Sequence, residues 1–279
     1  MSELELLGAA AGGWFGSRLL GPVVDEIGKD IKDRYSERRL GNFIRIGRNA
    51  EAKTGAALSQ PGEVSPRVAM KVLEEGSWCN GPVMSEYFGG ILANSRSVDG
   101  TDDRGMTWAA LVSRLATEDV HLHFLVYDAI RSLHLEKGRL GWGLGVVRNG
   151  AETYVSESEV AALMGRPVDL SAPLTALVRE GLIGDVWSAG PIDHLSEQSI
   201  DPPERGMTVT PSIPGIQLFM WAFNNGLLPL PMFSDPKLPF ASHEGLVGLT
   251  KARLVQEMKT ERNERLRLEA GIPPVQEDV

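Results

Sequence analysis

The sequence predicts a mainly α-helical protein: a helical bundle followed by a C-terminal winged-helix-like part made of a helix-turn-helix and a small β-hairpin. Helical periodicity is the first observation, because apolar residues such as Val83, Tyr87 and Ile91 recur at intervals of four. The second is a helix start at Ser65-Pro66, an N-cap residue followed by proline at the first helical position. The third is the order helix, turn, helix, strand, loop, strand between residues 156 and 210.

Residues 1–62 are expected to hold a glycine-rich helix, a basic helix and, from residue 50, a linker. The stretch GAAAGGWFG spaces its glycines four residues apart, which places them on one face of a helix. Such a face lets two helices approach closely in water as well as in lipid, and Arg18 and Pro22 make an isolated membrane span costly. We interpret it as a helix-packing seam, with a membrane or partner contact left open, formed by Gly8, Gly12, Gly16, Trp14 and Phe15.

One locally basic region lies between residues 34 and 53, where six basic residues stand against two acidic ones. Such a run is the part of the chain that could meet anionic head groups or nucleic acid. The basic patch consists of Arg34, Arg38, Arg39, Arg45 and Arg48.

Residues 63–150 and 227–279 are predicted to be the helical core and the C-terminal segment. In the core, helices follow Ser65 and Gly81, a long helix starts at Thr117 with acidic residues in its first turn, and glycines after residue 136 indicate a loop or hinge. The C-terminal segment is proline-rich and extended until Ser242, where a charged final helix is predicted to begin.

Residues 151–226 carry the winged-helix-like prediction. Ser156 and Glu159 have the spacing of a capping box, and Gly165 and Gly181 are placed to end the two helices. From residue 151 to residue 225, three basic residues stand against ten acidic ones. Because lysine and arginine contacts to phosphate supply most non-specific DNA affinity, this balance favours a structural or protein-docking role over DNA binding.

No catalytic, cofactor or metal site is expected. The acidic loop 98–103 lacks the alternating oxygen ligands and the distal glutamate of a calcium loop. His121 and His123 are two residues apart on a predicted helix, so they point to different sides. Cys79, the single cysteine, cannot form an internal disulfide, and no secretory leader is recognised. With a formal net charge of −9, the chain is expected to be cytoplasmic, with peripheral contact to the inner membrane left open.

A box of five residues, Ile91-Leu92-Ala93-Asn94-Ser95, precedes the acidic loop, and Leu115-Ala116-Thr117 begins the long helix. In these motifs residues 65–129 resemble the core of the abortive-infection alpha (Abi-alpha) family of bacterial proteins. Weaker matches lie at 177–183 and 209–211, around the wing. The family's His-Pro pair after the acidic loop is absent here, where Met106-Thr107-Trp108 stands, so no role for that histidine carries over.

The resemblance implies a bacterial antiphage defence protein that stops phage propagation by harming or arresting the infected cell. Three mechanisms stay open. We favour a non-catalytic protein–protein interaction with a phage or host component, in which the protein itself could form a homo-oligomer. The alternatives are a membrane-associated toxic effector that perturbs the inner membrane through its N-terminal helix, and a nucleic-acid-binding regulator, although nucleic acid is not the expected partner.

Overall fold

The computed structural model describes residues 37–137, 151–167 and 169–272, and the glycine-rich seam with Arg34 lies outside them. The protein is mainly helical, with small antiparallel sheets. In chain order its elements are α1 (Glu37–Thr54), β1 (Glu63–Val64), α2 (Pro66–Trp78), α3 (Pro82–Asn94), β2 (Arg96–Ser97), α4 (Gly105–Val112), α5 (Thr117–Lys137), β3 (Thr153–Ser156), α6 (Glu157–Met164), α7 (Ser171–Arg179), β4 (Ile183–Gly190), α8 (Ile192–Ser196), β5 (Gly206–Pro211), α9 (Ile213–Ala222), β6 (Arg253–Leu254) and α10 (Val255–Glu269).

The chain divides into two compact units that interleave along the sequence. The first unit takes the described residues up to His121 together with 217–232 and 237–246. The second takes 122–216, 233–236 and the described residues from Val247 onward. Each unit is therefore assembled from stretches that are distant in sequence.

In the first unit, α1 packs mainly against α3 and α2, and α2 also packs against α4. Every residue of α3 from Val83 to Asn94 is buried, as its wide apolar face predicts. The helices approach closely because α3 carries glycines at the contacts. A Cβ atom on Gly90 would lie 1.9 Å from the carbonyl oxygen of Ala222, and one on Gly89 would lie 2.6 Å from the Cβ of Asn49. The short strands β1 and β2 of this unit pair with each other antiparallel.

In the second unit, the strands form one antiparallel sheet in the order β4-β5-β3-β6. Thr153 in the inner strand β3 lies opposite Val209 of β5 on one side and Leu254 of β6 on the other. Helix α6 packs on β3, and helices α7 and α8 pack on β4. Val160 of α6 and Leu174 of α7 are fully buried.

Several predicted helix boundaries are confirmed. Helix α2 begins directly after Ser65 with proline in its first turn, and α6 ends at Gly165, which has a φ of 71°.

The capping box of α6 is half formed. The Oγ of Ser156 accepts a hydrogen bond from the Glu159 backbone N–H at 3.2 Å. The Glu159 carboxylate does not return the bond, because it accepts from the backbone N–H groups of Thr250 and Lys251.

Two predicted boundaries are wrong. Residues 50–54, predicted as the start of a linker, are helical, because Ala50 and Thr54 are buried and this packing continues α1 to Thr54. The final helix begins at Val255 and not at Ser242. The reason lies in the first unit, where residues 242–244 donate their hydrogen bonds to Glu86 instead of to a helical turn.

Within the described ranges, none of the helices combines the length and the apolar character that crossing a bilayer requires.

Candidate functional site

A groove of 560 Å³ runs along the solvent side of α1 in the first unit. The helix supplies one wall with Gly41, Arg45 and Arg48, and the opposite wall comes from His243 and Glu244. Helix α1 alternates these exposed residues with buried ones, because its apolar side faces α3 and α2. The groove therefore lies between helix α1 and residues 243–244, two segments almost two hundred residues apart in the sequence.

Asn49 and Glu244 join the two walls of the groove. Asn49 is 5% exposed, and its Nδ2 donates to Oε1 of Glu244 at 2.7 Å. The other carboxylate oxygen, Oε2, lies 3.9 Å from Nε of Arg45, which is a loose ion pair. Arg48 is exposed and, within the part of the chain that the structure describes, makes neither a hydrogen bond nor an ion pair.

Beneath the groove lies a buried ion pair between Lys53 of α1 and Glu86 of α3, whose side chains are 3% and 0% exposed. The Glu86 carboxylate also accepts from the Ser242 hydroxyl at 3.2 Å and from the backbone N–H groups of His243 and Glu244 at 3.1 and 3.0 Å. These donors compensate the buried negative charge. The carboxylate thus fixes the irregular segment 242–244 to the helices.

Burial lowers the pKa of the Lys53 ammonium, and the neighbouring Glu86 carboxylate opposes that shift. The ammonium also lies 4.5 Å from the centre of the Phe223 ring. The carbonyl oxygen of Lys53 accepts from Nδ2 of Asn224. Lys53 is therefore a structural cation inside the unit and contributes no donor to the groove surface.

The predicted basic patch divides into two parts. Arg38 and Arg39 are occupied at the C-terminal end of α2, where Arg38 donates to the side-chain oxygen of Asn80 at 3.0 Å and Arg39 donates to the Ser77 hydroxyl. The Arg39 guanidinium also lies 3.8 Å from the centre of the Trp78 ring. Of the patch arginines that the structure describes, only Arg45 and Arg48, farther along α1, line the groove.

The box that carries the family resemblance lies inside the first unit. Asn94 is 4% exposed, and its Nδ2 donates to the carbonyl oxygens of Gly90 and Trp221 at 3.0 and 2.8 Å. Its Oδ1 accepts from the backbone N–H of Gly226 at 2.9 Å. The amide therefore caps the end of α9 and orders the turn that follows it.

The other box residues pack. Ile91 and Leu92 are fully buried and Ala93 is 6% exposed. The Ser95 hydroxyl donates to the Ile91 carbonyl at 2.8 Å, and a Cβ atom on Gly105 would lie 2.0 Å from that hydroxyl oxygen. The turn after α3 can therefore lie directly on the start of α4.

A second buried polar centre, in the second unit, consists of His123 and Tyr127 of α5. The His123 ring is fully buried, and its Nε2 lies 3.1 Å from the Gly215 carbonyl oxygen. Because a carbonyl oxygen only accepts, the neutral ring carries its proton on Nε2. The Tyr127 hydroxyl donates to the Leu182 carbonyl and accepts from the backbone N–H of Ser212 at 2.9 Å. Burial lowers the pKa of His123 to about 3 and raises the pKa of Tyr127 to about 12.

The remaining chemically suggestive residues have local partners. Among the described residues, no group of three or more histidine, cysteine, aspartate or glutamate side chains is placed to hold a metal ion. Asp102 pairs with Arg104. Asp99 accepts hydrogen bonds within its own turn, from Ser97 and Thr101. Burial raises the pKa of the Cys79 thiol to about 11, so the thiol is protonated at neutral pH and is a poor nucleophile.

Sequence reasoning missed Glu86, Glu244 and His243. A signal for Glu86 existed, since it is the single charged residue in the mostly apolar stretch from Val83 to Leu92. Nothing in the sequence around residues 242–244 indicates that they bind Glu86. No protein-family profile, curated protein or solved structure matches this chain.

Proposed function

We propose that this protein is a bacterial antiphage defence protein of the abortive-infection type, which acts by binding a protein partner of the phage or the host. The resemblance of residues 65–129 to the abortive-infection alpha family is the source of the biological role. We choose the mechanism from the contacts that the residues shared with the family make in the structure.

The observation that carries the choice is the arrangement of Asn94. Both its donor hydrogens and its acceptor oxygen are bonded to main-chain groups, of Gly90, Trp221 and Gly226. The most polar residue of the family box thus maintains the scaffold of the first unit, and it presents no group to a substrate. Because the residues shared with the family support the fold, we infer that the protein acts by binding a partner at its surface and not by catalysis.

The docking surface in this proposal belongs to the winged-helix-like part, which comprises β3, α6, α7, β4, α8 and β5. In this proposal helix α7 takes the part of a recognition helix, and its exposed residues are Ser171, Ala172, Thr175 and Arg179. Arg179 is its one cation and lies 3.2 Å from the Glu180 carboxylate. A helix with this surface offers DNA phosphates little attraction, which supports a protein partner.

Helix α8 supplies the residues with which the proposal can be tested. Ile192 is 44% exposed, and Asp193 and Glu197 of the same segment are exposed acids. An exposed apolar residue beside acidic ones is suited to a protein partner with a basic, partly apolar surface.

The test is a plaque assay with the full chain expressed in a susceptible bacterium, scored together with survival of the infected cells. We expect fewer plaques and death or arrest of infected cells. We expect the variant Ile192→Ala/Glu197→Lys to lose this protection. A matched surface variant on α10, Leu268→Ala/Glu264→Lys, should retain it, since it makes the same kinds of change at other exposed residues. Absence of protection by the wild-type chain would overturn the defence role.

Two biochemical results would favour one of the alternative mechanisms over binding of a protein partner. Sedimentation of the full chain with anionic liposomes, lost in Trp14→Glu or Phe15→Glu, would favour the membrane-associated effector. A mobility shift of DNA or RNA that disappears when Arg34, Arg38 and Arg39 become glutamate would favour the nucleic-acid-binding regulator. We expect neither.

A further inference from the structure

The groove on α1 presents two guanidinium groups whose donors are mostly unused by the protein. Within the described residues Arg48 has no polar partner, and Arg45 approaches only Glu244, at a distance beyond that of a hydrogen bond. An arginine carries several N–H donors in a planar fork. A ligand in the groove can therefore receive hydrogen bonds from two side chains that lie one helical turn apart.

Gly41 lies four residues before Arg45 and leaves the helix surface open at the same groove. A Cβ atom on Gly41 would meet no atom of the described residues within 4 Å, whereas the α3 glycines are in close contact with neighbouring chain. Glycine inside a helix lowers its stability relative to alanine. Packing against the described residues does not require this glycine, and the open helix surface leaves room for a ligand that lies flat on it.

Hydrogen bonds within the protein hold the walls of the groove in place. Asn49 holds Glu244 through a 2.7 Å hydrogen bond, and the backbone N–H groups of His243 and Glu244 are held by the buried Glu86. Binding to walls that are already fixed loses little conformational entropy. The Glu244 carboxylate held in this way lies 3.9 Å from Nε of Arg45.

We propose that this groove binds a phosphate-bearing small molecule with a flat ring, such as a nucleoside monophosphate. Two arginines against the single carboxylate of Glu244 leave an excess of positive charge, which favours an anion. Guanidinium forks match phosphate oxygens in pairs. The volume of 560 Å³ suits a small molecule, and Ile44, three residues after Gly41 on the same wall, offers apolar surface beside the space for the ring.

This site goes beyond the partner-binding function proposed above. It uses α1 of the first unit, whereas the partner surface uses α8 of the second. The plaque assay tests the partner surface and the binding assay below tests the groove, so the two proposals can fail separately.

The test is calorimetric titration of the full chain with adenosine monophosphate and, separately, with inorganic phosphate. We expect the wild type to bind the nucleotide. Arg45→Gln/Arg48→Gln should weaken that binding about tenfold or more, because two charge-assisted contacts are lost. Gly41→Leu should weaken binding of the nucleotide but not of phosphate, because it fills the space for the ring without changing a charge.

The matched control is Arg267→Gln, which removes an exposed arginine from α10 and should bind the nucleotide like the wild type. Circular dichroism and thermal unfolding of each variant establish that it is folded. The proposal is overturned if the wild type does not bind the nucleotide, or if the double variant binds it as tightly as the wild type does.

A lipid head group carries the same phosphate chemistry, so vesicles form a second arm of the experiment. The full chain is sedimented with vesicles of equal parts phosphatidylcholine and phosphatidylglycerol. We expect the protein to stay in the supernatant. Sedimentation that Arg45→Gln/Arg48→Gln abolishes, without binding of adenosine monophosphate, would overturn the small-molecule assignment in favour of a lipid head group.

Discussion

Each unit of the protein contains a buried polar centre, and the two centres differ in charge. In the first unit, Glu86 and Lys53 form an ion pair that is almost completely removed from solvent. In the second, the His123 ring and the Tyr127 hydroxyl are neutral and fully buried. Both centres bind main-chain groups of segments that are distant in sequence.

This difference in charge determines how much stability the protein loses when a residue of either centre is replaced. A buried ion without its counter-ion has no solvent to compensate it, so removing one partner is strongly destabilising. A neutral centre that loses a group leaves only unsatisfied hydrogen-bonding atoms. The charged centre is therefore the more sensitive to substitution, and the neutral centre is the more sensitive to acid.

The largest effect is expected from Glu86→Ala. This change leaves the Lys53 ammonium buried without its counter-ion and removes the acceptor of three donors at residues 242–244. We expect the free energy of unfolding to fall by about 3–5 kcal/mol, measured by urea denaturation.

The double variant Lys53→Met/Glu86→Gln is the informative control for that prediction. It removes both charges and keeps an acceptor for the backbone N–H groups. We expect it to be more stable than Glu86→Ala. If the double variant proves no more stable than the single one, the buried charge is not the cause of the loss.

Tyr127→Phe should have the next largest effect, because it removes a group with two main-chain partners, Leu182 and Ser212. We expect a loss of about 1–3 kcal/mol in the free energy of unfolding. Tyr154→Phe is the graded control, since the buried Tyr154 donates one hydrogen bond, to the Glu204 carbonyl. Equal losses in the two variants would contradict the account of the neutral centre.

Acid should act on the neutral centre through His123. Its pKa is lowered to about 3 in the folded protein, against about 6.5 in an unfolded chain. Below about pH 6.5 the unfolded state therefore binds the extra proton, and stability falls as the pH falls towards about 3, by about 1.4 kcal/mol per pH unit. The measurement is urea denaturation as a function of pH. In His123→Gln this part of the slope should disappear, and an unchanged slope would refute the assignment.

The smallest effect is expected on the surface of α1, the helix that carries Lys53. Gly41→Ala should raise the free energy of unfolding by about 0.5–1 kcal/mol, because the new methyl group meets no described atom and alanine favours helix. Thermal unfolding measures the shift. Gly90→Ala, whose methyl group would collide with the Ala222 carbonyl, should instead destabilise the protein. A loss of stability in Gly41→Ala would show that the groove is filled by the chain itself.

Helix α3, the start of α2 and the end of α6 were predictable because their signals are local. The period of Val83, Tyr87 and Ile91 predicts α3, and proline in the first turn predicts where α2 begins. The glycine that ends α6 has the left-handed conformation for which glycine is preferred.

The polar centres and the groove could not be predicted, because their partners are far apart in the chain. Nothing near Glu86 indicates that residues 242–244 bind it, and nothing near Ser242 indicates that its hydroxyl is used there and not at a helix start. From the sequence alone, the arginines of the basic patch are likewise predicted to form one continuous surface. Its division follows from Ser77 and Asn80, which occupy Arg39 and Arg38 and leave Arg45 and Arg48 to the groove.

Because residues 237–246 belong to the first unit, ribosomal synthesis imposes an order on folding. Helices α1–α4 leave the ribosome well before the donors that compensate Glu86 have been translated. A nascent chain that ends before residue 242 therefore carries a carboxylate whose burial lacks three of its hydrogen bonds. The unit whose helices are synthesised first is therefore completed only after residue 244 has been translated, and until then its partly compensated surface is exposed to non-native contacts.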